Sequence, residues 1–393
     1  MTRVALLATL LVASGCGQLS GSGFGWIDGR GVDRNPSSRT VHLRWRHRIA
    51  SVASEAFVPV ERARAALDPA NDRIYVGSSA GQLYAMTATG GRIYTYDAGG
   101  GIAAEPALDV ANDELYLPTE DGVVHRLVAS TGEVTWRVEV GGAVSQTPLL
   151  TEDALYIITD NDVIVALDRE DGEALWRYRR EAPEGFYISE HAGMTLTEGH
   201  LLAAFTAGIV VSLDPADGAL RWERDTSLEL EPGPDGPPRF ADVDTTPLVL
   251  DGVVYIASFA GGVFELELES GTVRWRDEEL TGVTAIVRAT SRLLLLSSGD
   301  LGVVCIDRVE HTVLWRKRLP RGAPGRPMVA GDLVLFGESQ GGFVTLDLSS
   351  GQELGRLESQ HGFNATAAIA DGRGFILGNG GTLYAFALPG TRR

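Results

Sequence analysis

Apolar and polar residues alternate along most of this chain in runs of about six, a strand period. Each run is followed by a turn and then by a second alternating run with tryptophan at a fixed place. Residues 123–140 (VVHRLVASTGEVTWRVEV), 163–180 (VIVALDREDGEALWRYRR) and 209–225 (IVVSLDPADGALRWERD) show the unit best, and 263–277 and 303–317 repeat it. Glycine stands four residues before tryptophan at Gly132/Trp136, Gly172/Trp176, Gly218/Trp222 and Gly271/Trp275, and His311 takes its place before Trp315. Gly91 to Thr95 and Gly351 to Gly355 keep the spacing without the tryptophan.

The period selects the architecture. Trp136 to Trp176, Trp275 to Trp315 and Trp315 to Gly355 are each 40 residues, and Thr95 to Trp136 is 41. Helical periodicity is absent, so a repeat of this length predicts four-stranded propeller blades rather than a helical solenoid. In the third repeat the expected strands are Thr147–Leu150, Ala154–Thr159, Val163–Asp168 and Ala174–Arg179. Seven outer strands can be placed, at Thr95, Trp136, Trp176, Trp222, Trp275, Trp315 and Gly355. A last copy, Thr366–Ile369, Gly374–Gly378 and Thr382–Leu388, lacks its fourth strand, and Val41–Arg48, containing Trp45, supplies it. The expected fold is therefore all-β: an eight-bladed propeller over residues 41–393, closed by pairing the N-terminal strand with the C-terminal blade. Closure hides edges that an open sheet would expose.

The tryptophans are expected to pack on neighbouring blades. The basic residues that follow several of them (Arg46, Arg137, Arg177, Arg276, Arg316) are expected to guard outer edges against aggregation.

The N-terminus does not read as fold. Arg3, the apolar run from Val4 to Val12 and the small residues before Cys16 suit a signal peptide over residues 1–15. A cysteine after such residues resembles the bacterial lipobox, which implies lipidation of Cys16. Gly17 rather than aspartate after the cysteine points toward the outer membrane. Residues 16–40 carry Gly and Ser and read as a tether with a reach of roughly 25–30 Å. No later segment is long and apolar enough for a transmembrane helix. Cys305 is the only other cysteine, so the exported part has no internal disulfide to form.

Charge and motifs narrow the function. A formal net charge of −18 disfavours nucleic acid as a partner. The chain has no H-E-x-x-H, no P-loop, no paired-cysteine zinc pattern and no nucleophile elbow, and its seven histidines are dispersed. We therefore expect no catalytic residue, no cofactor and no metal.

Two connections exceed the period, one after Trp176 (181–192) and one after Trp222 (225–244). Both join an outer strand to the inner strand of the next blade, so they must be neighbours on one face. Long loops on a rigid scaffold are where binding is concentrated. The first holds Phe186, Tyr187 and Ile188. The second carries Glu229 to Pro232 and then Arg239 to Pro247. Apolar anchors beside carboxylates form a protein-binding patch.

Two resemblances carry this further. The repeat resembles the pyrroloquinoline-quinone-like motif A-x-D-x-x-T-G-x-x-x-W, as in Asp168 to Trp176 and Asp214 to Trp222. Some members of that superfamily are quinone-dependent dehydrogenases. Those with an adjacent Cys-Cys pair find no match here, and no calcium-ligand set is apparent. More specifically, the segment from Asp242 to Pro247 (DVDTTP), followed by LVLDGVVY to Tyr255, resembles the BamB family, the lipoprotein propellers of the outer-membrane β-barrel assembly machinery. That resemblance implies a non-catalytic scaffold, lipid-anchored at the periplasmic face of the outer membrane, that binds a BamA-like partner. It implies contact through Phe186, Ile188, Asp242, Asp244, Thr245 and Thr246. The family's arginine falls on Ser189, where this sequence departs. Unfolded outer-membrane clients are a further candidate partner. A propeller serving another envelope complex and a quinone-dependent dehydrogenase are the alternatives.

Overall fold

The computed structural model describes residues 40–50, 60–180, 192–230 and 242–389. They form eight antiparallel sheets of four strands, each ordered from the axis outward. Numbered along the chain, blades 1 to 7 cover 66–97, 107–139, 149–179, 195–225, 248–277, 283–317 and 328–357. Blade 8 takes Ala368–Ala370, Arg373–Gly378 and Thr382–Ala387 from the C-terminal end and His42–Arg48 from the N-terminal end. His42 pairs with Ala387 and Arg48 with Thr382, as the missing-strand argument requires.

The second and third strands of each blade are almost wholly apolar because both of their faces meet neighbouring blades. Ala154–Thr159 is buried along its whole length. Third-repeat strands two to four fall where the alternation places them, while the inner strand shortens to Leu149–Leu150. Inner strands crowd the axis, which leaves room for only two or three residues in most blades.

The G-x-x-x-W spacing has a single packing cause. Each tryptophan reaches the turn between the third and fourth strands of the next blade. In five cases it lies there on a glycine at positive φ and donates its indole N–H to a carbonyl. Trp136 covers Gly172 and donates to the Arg169 carbonyl at 3.1 Å; Trp176 covers Gly218 and donates to Pro215 at 3.0 Å. Trp222 covers Gly271 and donates to Leu268 at 2.7 Å, and Trp315 covers Gly351 and donates to Leu348 at 2.8 Å. Across the closure, Trp45 lies on Gly90 and donates to Ala88 at 3.0 Å. A Cβ on Gly218, Gly271 or Gly351 would drive into the ring above it; on Gly172 it would press the ring at 3.0 Å, and on Gly90 it would meet His47, which stands beside Trp45, at 2.6 Å.

The exceptions follow the same rule. His311, at φ 54°, stacks under Trp275 with ring centroids 4.2 Å apart and planes at 12°. In blade 1 the equivalent of tryptophan is Tyr94, not Thr95: Tyr94 sits at the outer-strand bulge, covers Gly132 and donates its hydroxyl to Ala129 at 2.9 Å. The turn glycine is accordingly Gly90, at φ 94°, rather than Gly91. Blade 7 has Gly355 at the tryptophan position. Its neighbour, blade 8, draws its third and fourth strands from opposite ends of the chain, so no turn joins them for a tryptophan to cover.

Arginines add cross-blade ties. Arg169 of blade 3 reaches Asp109 at 2.6 Å and Glu114 at 2.7 Å in blade 2, and Arg308 of blade 6 pairs with Asp251 and bonds the Tyr255 hydroxyl in blade 5. Of the arginines after tryptophan, Arg177 donates to the Val140 carbonyl at 3.2 Å and Arg276 to Gly261 at 2.8 Å. Every outer strand also carries a bulge, which twists the exposed edge.

Candidate functional site: the axial funnel and its rim

The connections into the inner strands surround one cavity of about 760 Å³ on the axis. One position per blade supplies much of its wall: the second residue before the inner strand. Blades 3, 5 and 8 place Thr147, Thr246 and Thr366 there. In blade 6 the inner strand is bulged between Val283 and Ala285, and Thr284 turns to the same cavity. Blade 4 has Gly193, whose N–H donates to the Thr246 hydroxyl at 3.0 Å. The following residue is proline at Pro106, Pro148, Pro247 and Pro327. Proline holds the residue before it extended, which fixes how these side chains are presented.

Three blades put charge where the others put threonine. Arg326 stands in blade 7, Arg64 in blade 1 and Glu105 in blade 2, on one arc with Thr366 of blade 8 among them. Arg64 pairs with Glu105 at 2.8 Å and donates to the Ala367 carbonyl at 3.3 Å. Burial pushes the Glu105 carboxyl up, and Arg64 opposes that push. Burial pulls Arg326 down, and the neighbouring Arg64 charge pulls the same way. At the rim Arg62 faces Glu120 at 3.8 Å.

The residues singled out in the sequence separate here. Phe186, Ile188, Ser189 and Cys16 lie outside the described residues. Asp242 is buried, and its carboxylate accepts the Ala207 N–H at 2.7 Å. Ala207 has φ 60°, a left-handed backbone that a Cβ disfavours, so this bond holds a strained turn in place. Thr245 is fully buried and accepts the Ala257 N–H at 2.7 Å. Asp244 and Thr246 instead line the funnel. The acidic pair thus divides into an inner support and a residue that faces the cavity.

Two features were missed in the sequence. The first is the funnel ring, whose only signal is the weak pattern of a polar residue, then Pro or Ala, then an apolar strand. The second is a third long connection, from blade 8 into blade 1 across residues 49–65, hidden because its outer strand stands at the start of the chain. On the rim, Leu228 is 78 % exposed beside Glu229, whose carbonyl accepts from Arg276. Among the described residues no cluster of three metal-ligating side chains occurs, and no helix is long and apolar enough to cross a membrane. Cys305 is buried, and burial pushes its thiol up to about 11, a poor nucleophile.

Residues 95–317 match the family model described as outer membrane protein assembly factor BamB. The protein of that name from Salmonella typhimurium is 30% identical over 171 residues, covering 43% of this chain and 42% of its own. The chain thus aligns with less than half the length of that relative. The crystal structure of BamB from Moraxella catarrhalis superposes with a TM-score of 0.71 at 22% identity, covering 86% of this chain and 99% of that one. A quinohemoprotein alcohol dehydrogenase from Comamonas testosteroni superposes at 0.65 with 16% identity, over 91% of this chain and 78% of that one. At such identities the two superpositions speak for the fold alone.

Proposed function

The chain belongs to the family of outer membrane protein assembly factor BamB, and from that premise we propose that it is a non-catalytic scaffold of outer-membrane β-barrel assembly. In this reading lipidated Cys16 anchors it at the periplasmic face of the outer membrane, and residues 16–40 tether the propeller. The rim formed by the connections into blades 4 and 5 docks a BamA-like partner. The observation that carries the reading is the DVDTTP segment, with Asp244 at the funnel mouth on the same connection as exposed Leu228. A carboxylate and an exposed aliphatic side chain on one long connection are of the composition that protein-binding patches use. The bulged outer edges speak against capture of clients by strand addition.

Asp242 is a poor probe, because its carboxylate supports the Ala207 turn. The test is recovery of the BamA-like partner from native membranes with Asp244→Arg combined with Leu228→Glu. Recovery should fall at least tenfold while the thermal melt of the propeller stays within a few degrees. Unchanged recovery would remove this rim from the interface.

A further inference from the structure

We propose that the axial funnel is a binding site for a small polycarboxylate, held between Arg326 and Arg64 across Thr366. The proposal does not rest on the partner docking above, whose Asp244 lines the same cavity.

A propeller needs nothing charged at the second residue before its inner strands, since four blades turn threonine to the funnel and one has glycine. Arginine there must be partly taken from water and set near like charge, a cost the fold does not require. Two arginines nevertheless stand one blade apart in a chain whose formal net charge is −18. One carboxylate serves both: Glu105 is bonded to Arg64 at 2.8 Å and attracts Arg326 without a hydrogen bond to it. Arg326 makes no hydrogen bond or ion pair among the described residues and lies exposed on the funnel wall. Asp244, the remaining funnel carboxylate, lies on the connection into blade 5, beyond blade 6 from Arg326, and has an interaction of its own.

The chemistry that completes this arrangement is an oxyanion at Arg326 in the planar, forked geometry that guanidinium favours. A second carboxylate on the same molecule would share Arg64 with Glu105. The threonine hydroxyls around the axis can meet the remaining oxygens. A cavity of about 760 Å³ lies within the usual range for small-molecule sites. The occupant we commit to is a free solute with two or more carboxylates, not a protein segment.

Threonine at position 326 would restore what other blades carry, so Arg326→Thr should fold and should melt no lower than the natural chain. The experiment is calorimetric titration of the purified full chain with citrate, referred to sodium chloride at equal ionic strength, with a tetraglutamate peptide as the second titrant. We expect saturable citrate binding that Arg326→Thr weakens about tenfold or more, while recovery of the BamA-like partner is unchanged. The proposal is overturned if citrate gives no saturable heat beyond the salt reference. Equal affinity in Arg326→Thr, or saturation by the peptide and not by citrate, would overturn it as well.

Discussion

Adding one methyl group at Gly271 isolates the contact that sets the spacing of the repeat. A Cβ there would lie 2.5 Å from Trp222 Cε3 and 2.9 Å from two further ring atoms. Trp222 cannot easily give way: it is buried and its indole N–H is tied to the Leu268 carbonyl at 2.7 Å. Two costs combine in Gly271→Ala. The backbone at φ +66° disfavours any side chain by about 1–2 kcal/mol. Overpacking against an immobile ring adds about 1–3 kcal/mol. The lost freedom of glycine in the unfolded chain returns about 0.4–1 kcal/mol, leaving a net loss of about 1–5 kcal/mol. Gly252→Ala separates these costs, because Gly252 has φ +74° and no neighbour within 4 Å of an added Cβ. Urea unfolding followed by tryptophan fluorescence should therefore show a small shift for Gly252→Ala and a shift about 1–3 kcal/mol larger for Gly271→Ala. Equal midpoints for the two variants would refute the claim that tryptophan cover, rather than the turn itself, requires the glycine.

Other contacts make further predictions. Trp222→Phe keeps most of the ring but leaves the Leu268 carbonyl without its donor. It should cost about 1–3 kcal/mol in the same urea assay. Arg356→Met removes the guanidinium that pairs with Glu338, a fully buried carboxylate in blade 7. That should cost about 3–5 kcal/mol, and Glu338→Gln in the same chain should recover part of it. His125 is buried against the Tyr96 hydroxyl at 2.9 Å, and burial lowers its imidazole to about 4 from 6.5. The unfolded chain then binds a proton that the folded one does not, so stability falls as pH drops from 6.5 to about 4, by order of 3 kcal/mol. His125→Gln should flatten that stretch of the stability–pH curve. Arg169 holds Asp109 below the ordinary aspartate range near 3.8, so its contribution is present above that pH and lost as pH falls below it. The gap in urea midpoint between the natural chain and Arg169→Gln should close under acid.

The outer half of each blade was legible in the sequence and the inner half was not, for a physical reason. The tryptophan, the glycine four residues before it and the next blade's turn form one contact that tolerates few substitutes, so it leaves a sharp period. Where the contact uses another ring the period blurs. Tyr94 serves as the cover in blade 1, one residue before the place that spacing alone assigns. The funnel position is constrained only to fit beside a proline or a small residue at the axis. Arginine, glutamate, threonine and glycine all satisfy that, so no single-letter repeat marks it. The pair Asp242 and Asp244 looks equivalent in sequence because it has the spacing of one strand face. The chain there is a connection with an isolated bridge at Val243 and Ser258, and the neighbouring Ala207 turn claims Asp242. Ring closure was legible because a missing fourth strand at one end and a surplus Trp-Arg strand at the other admit one solution.

That closure also sets an order of events. A chain that leaves the ribosome or an export channel N-terminus first presents His42–Arg48 long before Thr382–Ala387, its pairing strand, has appeared. Seven blades can assemble locally in the meantime, since each takes its strands from one stretch of sequence. The first strand made is the last to find its place, and loop-closure entropy makes such distant pairing slow. Until then the ring is open, and the edge of blade 1 that awaits Trp45 stays wet. The final folding step therefore draws on both ends of the propeller at once, and a change in either His42–Arg48 or Thr382–Ala387 bears on the same closure.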